Sequence, residues 1–226
     1  MVTMGVTKLR ASEERRVEIE TIGSMLNRPG DALERLDGRF RTDLSVEVLD
    51  LRMRLEDQLR KEESLLTEEW DATFDRARRE AVEGELLVAL DMYRVLPDPP
   101  VLRVLSRPWR SGTEILGAIT ERLKAQITSL GPPTIHAPRQ ITVEKQVAGS
   151  IEALQDALTE DELTAPMLDG FQSELAILTE EVINRERVRS VDRLEAEHAR
   201  ILKENDALLA LAHAALLACD WPGLGD

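Results

Sequence analysis

Leu194-Glu-Ala-Glu-His198-Ala-Arg-Ile201-Leu-Lys-Glu-Asn205-Asp-Ala-Leu208 places apolar residues at alternating intervals of three and four. That spacing keeps one face of an α-helix apolar. Heptad position a falls on Val191, His198, Asn205 and Ala212, and d on Leu194, Ile201, Leu208 and Ala215. A helix cannot bury such a stripe alone, so these eight residues are the predicted oligomer interface. Asn205 at a is a register device, because two such amides hydrogen-bond across a parallel two-stranded seam at some cost in stability. Leu202 and Leu209 at e, with Leu211 at g, widen the stripe beyond a two-stranded seam. The charged e/g pairs that select a dimer partner are missing, so a bundle of three or more helices fits equally well.

Outward from this stretch, one long helix is predicted over 166–219. Pro166 suits its first turn. Its earlier half keeps Leu168, Phe171, Leu175, Leu178 and Val182 in one heptad frame, and the polar run 184–189 breaks that frame before Val191 starts another. Such a discontinuity disturbs a supercoil locally.

Composition points the same way. Only 3% of the 226 residues are aromatic and 32% are charged. Leu, Glu, Arg and Ala dominate the stretches between breakers, and all are good helix formers. The expected fold is all-α: an elongated helical bundle with a long C-terminal coiled-coil-like helix. Four regions follow: an N-terminal helical region (1–96), a Pro/Arg-rich linker (97–112), short helices with an extended segment near 134–147 (113–165), and a C-terminal oligomerisation helix and tail (166–226).

Ser12 is a good N-cap for a first helix carrying Ile19, Ile22 and Leu26, which Asn27-Arg-Pro-Gly30 ends. A short helical turn over 31–36 stops at Asp37-Gly38. Over 44–96 no proline occurs. Val48, Leu51, Leu55 and Leu59 form one stripe, and Leu66, Trp70, Phe74, Ala77 and Ala81 another, with a phase slip near 64–67 where Thr67 can cap a fresh helix. One kinked helix and two successive helices both satisfy this pattern. Pro97-Asp-Pro-Pro100 ends it, and 101–110 reads as irregular. Ser111-Gly-Thr-Glu114 is a capping box for a helix bearing Leu116, Ile119, Leu123, Ile127 and Leu130, which Gly131-Pro-Pro133 closes. In 134–147, Ile141, Val143 and Val147 fall on one side of an extended chain. Residues 150–158 read as a short helix, and Thr159-Glu-Asp-Glu162 as a second capping box.

The net charge of −14 opposes general affinity for nucleic acid or anionic lipid, so no direct nucleic-acid partner is expected. Charge is uneven: 147–183 contains no Lys or Arg, whereas Arg94, Arg103, Arg107 and Arg110 flank the proline-rich stretch. Two solvated faces of opposite sign explain this; the sharper alternative is the basic segment of one copy meeting the acidic segment of another. Trp109 beside Arg107 and Arg110 reads as the cover of a helix end. Cys219 is the sole cysteine, which excludes an intrachain disulfide and fits a reducing compartment. The first residues lack a signal-peptide core, and the apolar run 207–219, interrupted by His213, is too short to span a bilayer. A cytoplasmic location is expected. Arg outnumbers Lys 24 to 5, which hints at a GC-rich, bacterial or phage genome.

Glu195 and His198 form a Glu-x-x-His pair, the spacing that supplies two ligands of a di-iron site in ferritin-like bundles. With a single such pair, His198 at a reads as a partly buried core polar residue sooner than as a ligand, so neither a metal nor any other cofactor is predicted. His136 and His213 have no catalytic neighbours in sequence, and no phosphate-cradling loop or nucleophile elbow occurs. Trp221 and Leu224 form a candidate docking tail, with folding back on the bundle as the plainer reading. The expected function is a non-enzymatic, self-associating structural, adaptor or assembly protein acting through helical contacts. The alternatives are an acidic regulator that occupies a basic protein surface, one that binds nucleic acid being one such surface, and a ferritin-like metal protein.

Overall fold

The computed structural model describes residues 2–135, 137–159 and 166–218, with side chains over 12–135, 137–159 and 168–217. Among the described residues every regular element is an α-helix: α1 (Val2–Gly23), α2 (Pro29–Phe40), α3 (Val46–Glu83), α4 (Leu86–Arg94), α5 (Thr113–Ser129), α6 (Pro138–Thr159) and α7 (Pro166–Ala218). No helix among them is long and apolar enough to cross a membrane. The chain forms two compact units, Met1–Arg78 with Met92–Gly112, and Arg79–Asp91 with Thr113–Asp226.

In the first unit Ile22 of α1, Ala32 and Leu36 of α2, and Val48, Leu51 and Leu55 of α3 share one core, with Ile19, Met25, Leu33 and Phe40 packed against it. Helix α2 is longer than the turn expected over 31–36. It runs through Asp37-Gly38, because Leu36 is buried and Phe40 packs on the same core. The start of α3 is fixed by Asp43. Its carboxylate accepts the Ser45 backbone N–H at 2.9 Å and the Arg15 guanidinium at 2.7 Å. The Ser45 backbone bond, followed by the Ser45 hydroxyl and Arg15, holds the Asp43 carboxyl below the usual carboxylate range.

Helix α3 settles the choice left open over 44–96: it is continuous through 64–67, and the break falls at Gly84. The buried positions Val48, Leu51, Leu55, Leu59, Glu63, Thr67, Trp70, Phe74, Ala77 and Ala81 make one unbroken stripe at intervals of three and four. The phase slip arises because two of those positions are polar, while Leu66 points outward and is 49% exposed. Thr67 caps no new helix; its hydroxyl donates back to the carbonyls of Glu63 (2.8 Å) and Ser64 (2.7 Å) within the same helix. At the end of α3 the Arg122 guanidinium donates to the Gly84 carbonyl at 2.6 Å, a cation placed where helix carbonyls are otherwise unpaired.

The second unit is built on α5, α6 and the first half of α7. Ile115, Leu116, Ile119, Leu123 and Ile127 of α5 are buried with Val147, Ile151, Leu154 and Leu158 of α6 and Leu168, Phe171, Leu175 and Leu178 of α7. Gly131, at φ 63°, closes α5 in the left-handed conformation that its lack of a Cβ permits. The extended segment expected near 134–147 is instead the start of α6, which runs from Pro138 and absorbs the short helix expected over 150–158. The placement of Ile141, Val143 and Val147 on one side of an extended chain suggests an extended arm or loop. The buried face is Glu144, Val147, Ile151, Leu154 and Leu158, a helical stripe whose first member is charged. Tertiary burial overrides β-propensity here.

Candidate association surface on helix α7

Helix α7 changes character along its length. Up to Leu178 it contributes apolar side chains to the second unit's core. Over 193–217 every residue is exposed. At about 1.5 Å per residue this is roughly 38 Å of helix with no cover. The predicted seam lies there, apart from Val191 just before it, which is 53% exposed: Leu194 is 71% exposed, Ile201 43% and Leu208 63%, and His198, Asn205, Ala212 and Ala215 are exposed too. Leu202, Leu209 and Leu211 lie open beside them.

The polar side of the same segment is organised within the chain. Arg200 donates from Nη2 to Glu197 at 2.6 Å and from Nη1 to Glu204 at 2.5 Å. The Glu197 carboxyl is held below its ordinary range by the hydrogen bond from Arg200, and the Arg200 guanidinium is raised chiefly by Glu197. Glu197 and Glu204 occupy g positions and Arg200 occupies c. The ladder therefore runs beside the a, d and e face and leaves it free of charge, apart from Glu195. This explains the missing e/g partner code: the g carboxylates are neutralised by their own helix.

Glu195 and His198 are both exposed, and among the described residues no group of three or more His, Cys, Asp or Glu side chains converges. Trp221, Leu224, Cys219 and His136 lie outside the described residues, as does most of the second capping box.

Two polar constructions were not recognised in the sequence. The first ties the Pro/Arg-rich segment to α3. Glu63, 3% exposed, accepts the backbone N–H groups of Arg103 (2.6 Å), Val104 (3.1 Å) and Leu105 (2.7 Å). Arg107 grips Asp71 with two bonds of 2.7 and 2.9 Å, and lies over the Trp109 ring. Trp109 does not cover a helix end; it meets Trp70 on the flank of α3 edge-on, with centroids 5.0 Å apart. Arg110 pairs with Asp75 at 2.5 Å, and Arg103 reaches Glu34 at 3.5 Å. These arginines are paired inside their own unit, so the acidic segment of a second copy is not needed to neutralise them. The second construction joins α6 to α7: Glu144 accepts Arg185 Nε at 2.7 Å and is ion-paired with Arg189. One signal pointed to both. Glu63 continues the Leu55–Leu59 interval of four, and Glu144 stands three before Val147.

No family model, no curated protein and no solved structure matches this chain.

Proposed function

We propose that this protein is a non-enzymatic, self-associating structural, adaptor or assembly component, and that its contact surface is the distal half of α7. The observation that carries this reading is the fully exposed stretch 193–217, whose a, d and e face is apolar apart from Glu195, His198 and Asn205. Full burial of a Leu or Ile side chain contributes about 1.5–3 kcal/mol. Scaled by their exposure, Leu194 and Leu208 would each gain about 1–2 kcal/mol per chain on pairing, and Ile201 about 0.6–1.3 kcal/mol. Adjacent e-position leucines add to this, and the Arg200 ladder stays in water. A second copy suits the surface because Asn205 sits at a, where identical amides pair in register.

Sedimentation equilibrium of the intact chain tests the reading. The expected result is a mass that is a whole-number multiple of 25.4 kDa and falls on dilution. A single 25.4 kDa species at all concentrations would refute self-association.

A further inference from the structure

We infer that residues 207–217 of α7 pack in a parallel bundle of more than two copies of this chain, an inference that rests on the self-association proposed above and sets how many copies meet. The helix changes composition at Asp206. From Arg193 to Asp206 seven of the fourteen residues are charged, whereas 207–217 contains no Asp, Glu, Lys or Arg. All of 207–217 is exposed, so among the described residues no other helix covers it. Leu208, Leu209, Leu211, Leu216 and Leu217 are each 63–77% exposed. At about 100° per residue these leucines span roughly 240° of the helix circumference. A helix that rests on one neighbour keeps a polar side, and one that is apolar nearly all round belongs inside a packed core.

The heptad frame shows what two strands would leave uncovered. In these turns a and d fall on Leu208, Ala212 and Ala215, while Leu209 and Leu216 stand at e, Leu211 at g and Leu217 at f. A two-stranded seam closes on the a/d stripe, and here that stripe holds two alanines and a single leucine. The a and d residues themselves leave the number of strands open. Val191 over Leu194, and Asn205, suit two; Ile201 at d suits more. The flanks decide.

In a parallel pair the g residue of one helix lies beside the e residue that follows it on the neighbour. Leu211 of one copy therefore meets Leu216 of the next, where a dimer would set opposite charges. With two strands this contact sits on a wet rim. With three or more, each helix has a neighbour on both flanks, and e and g turn inward. The match of Leu211 to Leu216 is self-complementary, which favours further copies of this chain over an unrelated protein as the cover.

Sedimentation equilibrium of the full-length protein beside the variant carrying Leu209→Lys, Leu211→Glu and Leu216→Lys tests this. The substitutions leave every a and d residue in place, use good helix formers, and fall at positions already exposed in the single chain. They also write attraction into the flanks, between the new charges at 211 and 216 and between 209 and Glu204. The unaltered protein is expected at three times 25.4 kDa or more, and the variant at twice 25.4 kDa with its helical circular dichroism kept. An unaltered protein that never exceeds twice 25.4 kDa overturns the inference and leaves self-association standing; one that stays at 25.4 kDa overturns both. A variant that keeps the mass of the unaltered bundle also overturns it, because the flanking leucines would then carry no contact.

Discussion

Replacing Glu63 by Ala removes the carboxylate that ties the backbone of segment 103–105 to α3. The carboxylate accepts three backbone N–H groups, at 2.6, 3.1 and 2.7 Å, from a position 3% exposed. Hydrogen bonds to a charged acceptor are worth about 1.5–3 kcal/mol each when the alternative is an unpaired buried group. Arg103 is exposed and Val104 and Leu105 are half-buried, so water recovers part of each loss. The expected cost is about 3–4 kcal/mol for Glu63→Ala. Glu63→Gln keeps one acceptor oxygen but turns an NH2 toward a donor, and should lie between Ala and the unaltered chain. The assay is urea unfolding followed by tryptophan fluorescence, since Trp70 and Trp109 pack in this unit, together with hydrogen exchange at the amides of 103–105. Those three amides should lose protection ahead of the α1–α2–α3 core. A cost below about 1 kcal/mol, or unchanged protection at the three amides, would refute the claim that Glu63 organises this segment.

The Asp71–Arg107 pair predicts an acid limb to stability. The hydrogen bond from Arg107 is the main cause holding the Asp71 carboxyl below the ordinary carboxylate range. Its folded-state value therefore lies below the unfolded value of about 3.9, so its contribution is complete above that pH and is lost as pH falls through the folded value. Asp71→Asn should flatten the loss of stability below about pH 4, and an unchanged acid limb would contradict the pairing. Asn205→Leu should raise the thermal midpoint while changing or broadening the molar mass, because a register device at a is exchanged for apolar area. A destabilised variant of unchanged mass would count against paired amides.

Much of the helical plan is legible from single residues. Leu116, Ile119, Leu123 and Ile127 declare the face of α5, Gly131 its end, and Pro166 the start of α7, because apolar period and backbone chemistry act locally. The errors cluster where a charged or polar residue occupies a buried position. Glu63 and Thr67 made a continuous α3 read as two stripes, and Glu144 hid the first turns of α6 behind the β-branched residues Ile141 and Val143. The partners of Glu63 and Glu144 lie about forty residues away in sequence. A pattern rule that treats charge as outward-facing cannot find such a pair, since what permits burial is a distant donor. The exposed seam on α7 is the opposite case: its heptad spacing is wholly local.

The central claim is most directly tested by the molar mass of Ile201→Asp with Leu208→Asp beside the unaltered protein, by light scattering on samples matched for helicity. Each carboxylate would enter a dry seam at a cost of several kcal/mol, whereas in the isolated chain both positions already face water, at 43% and 63% exposure. The account predicts that the variant falls to 25.4 kDa with its helical circular dichroism kept, while the unaltered protein stays a multiple of that mass. A variant that keeps the multimer's mass would contradict it.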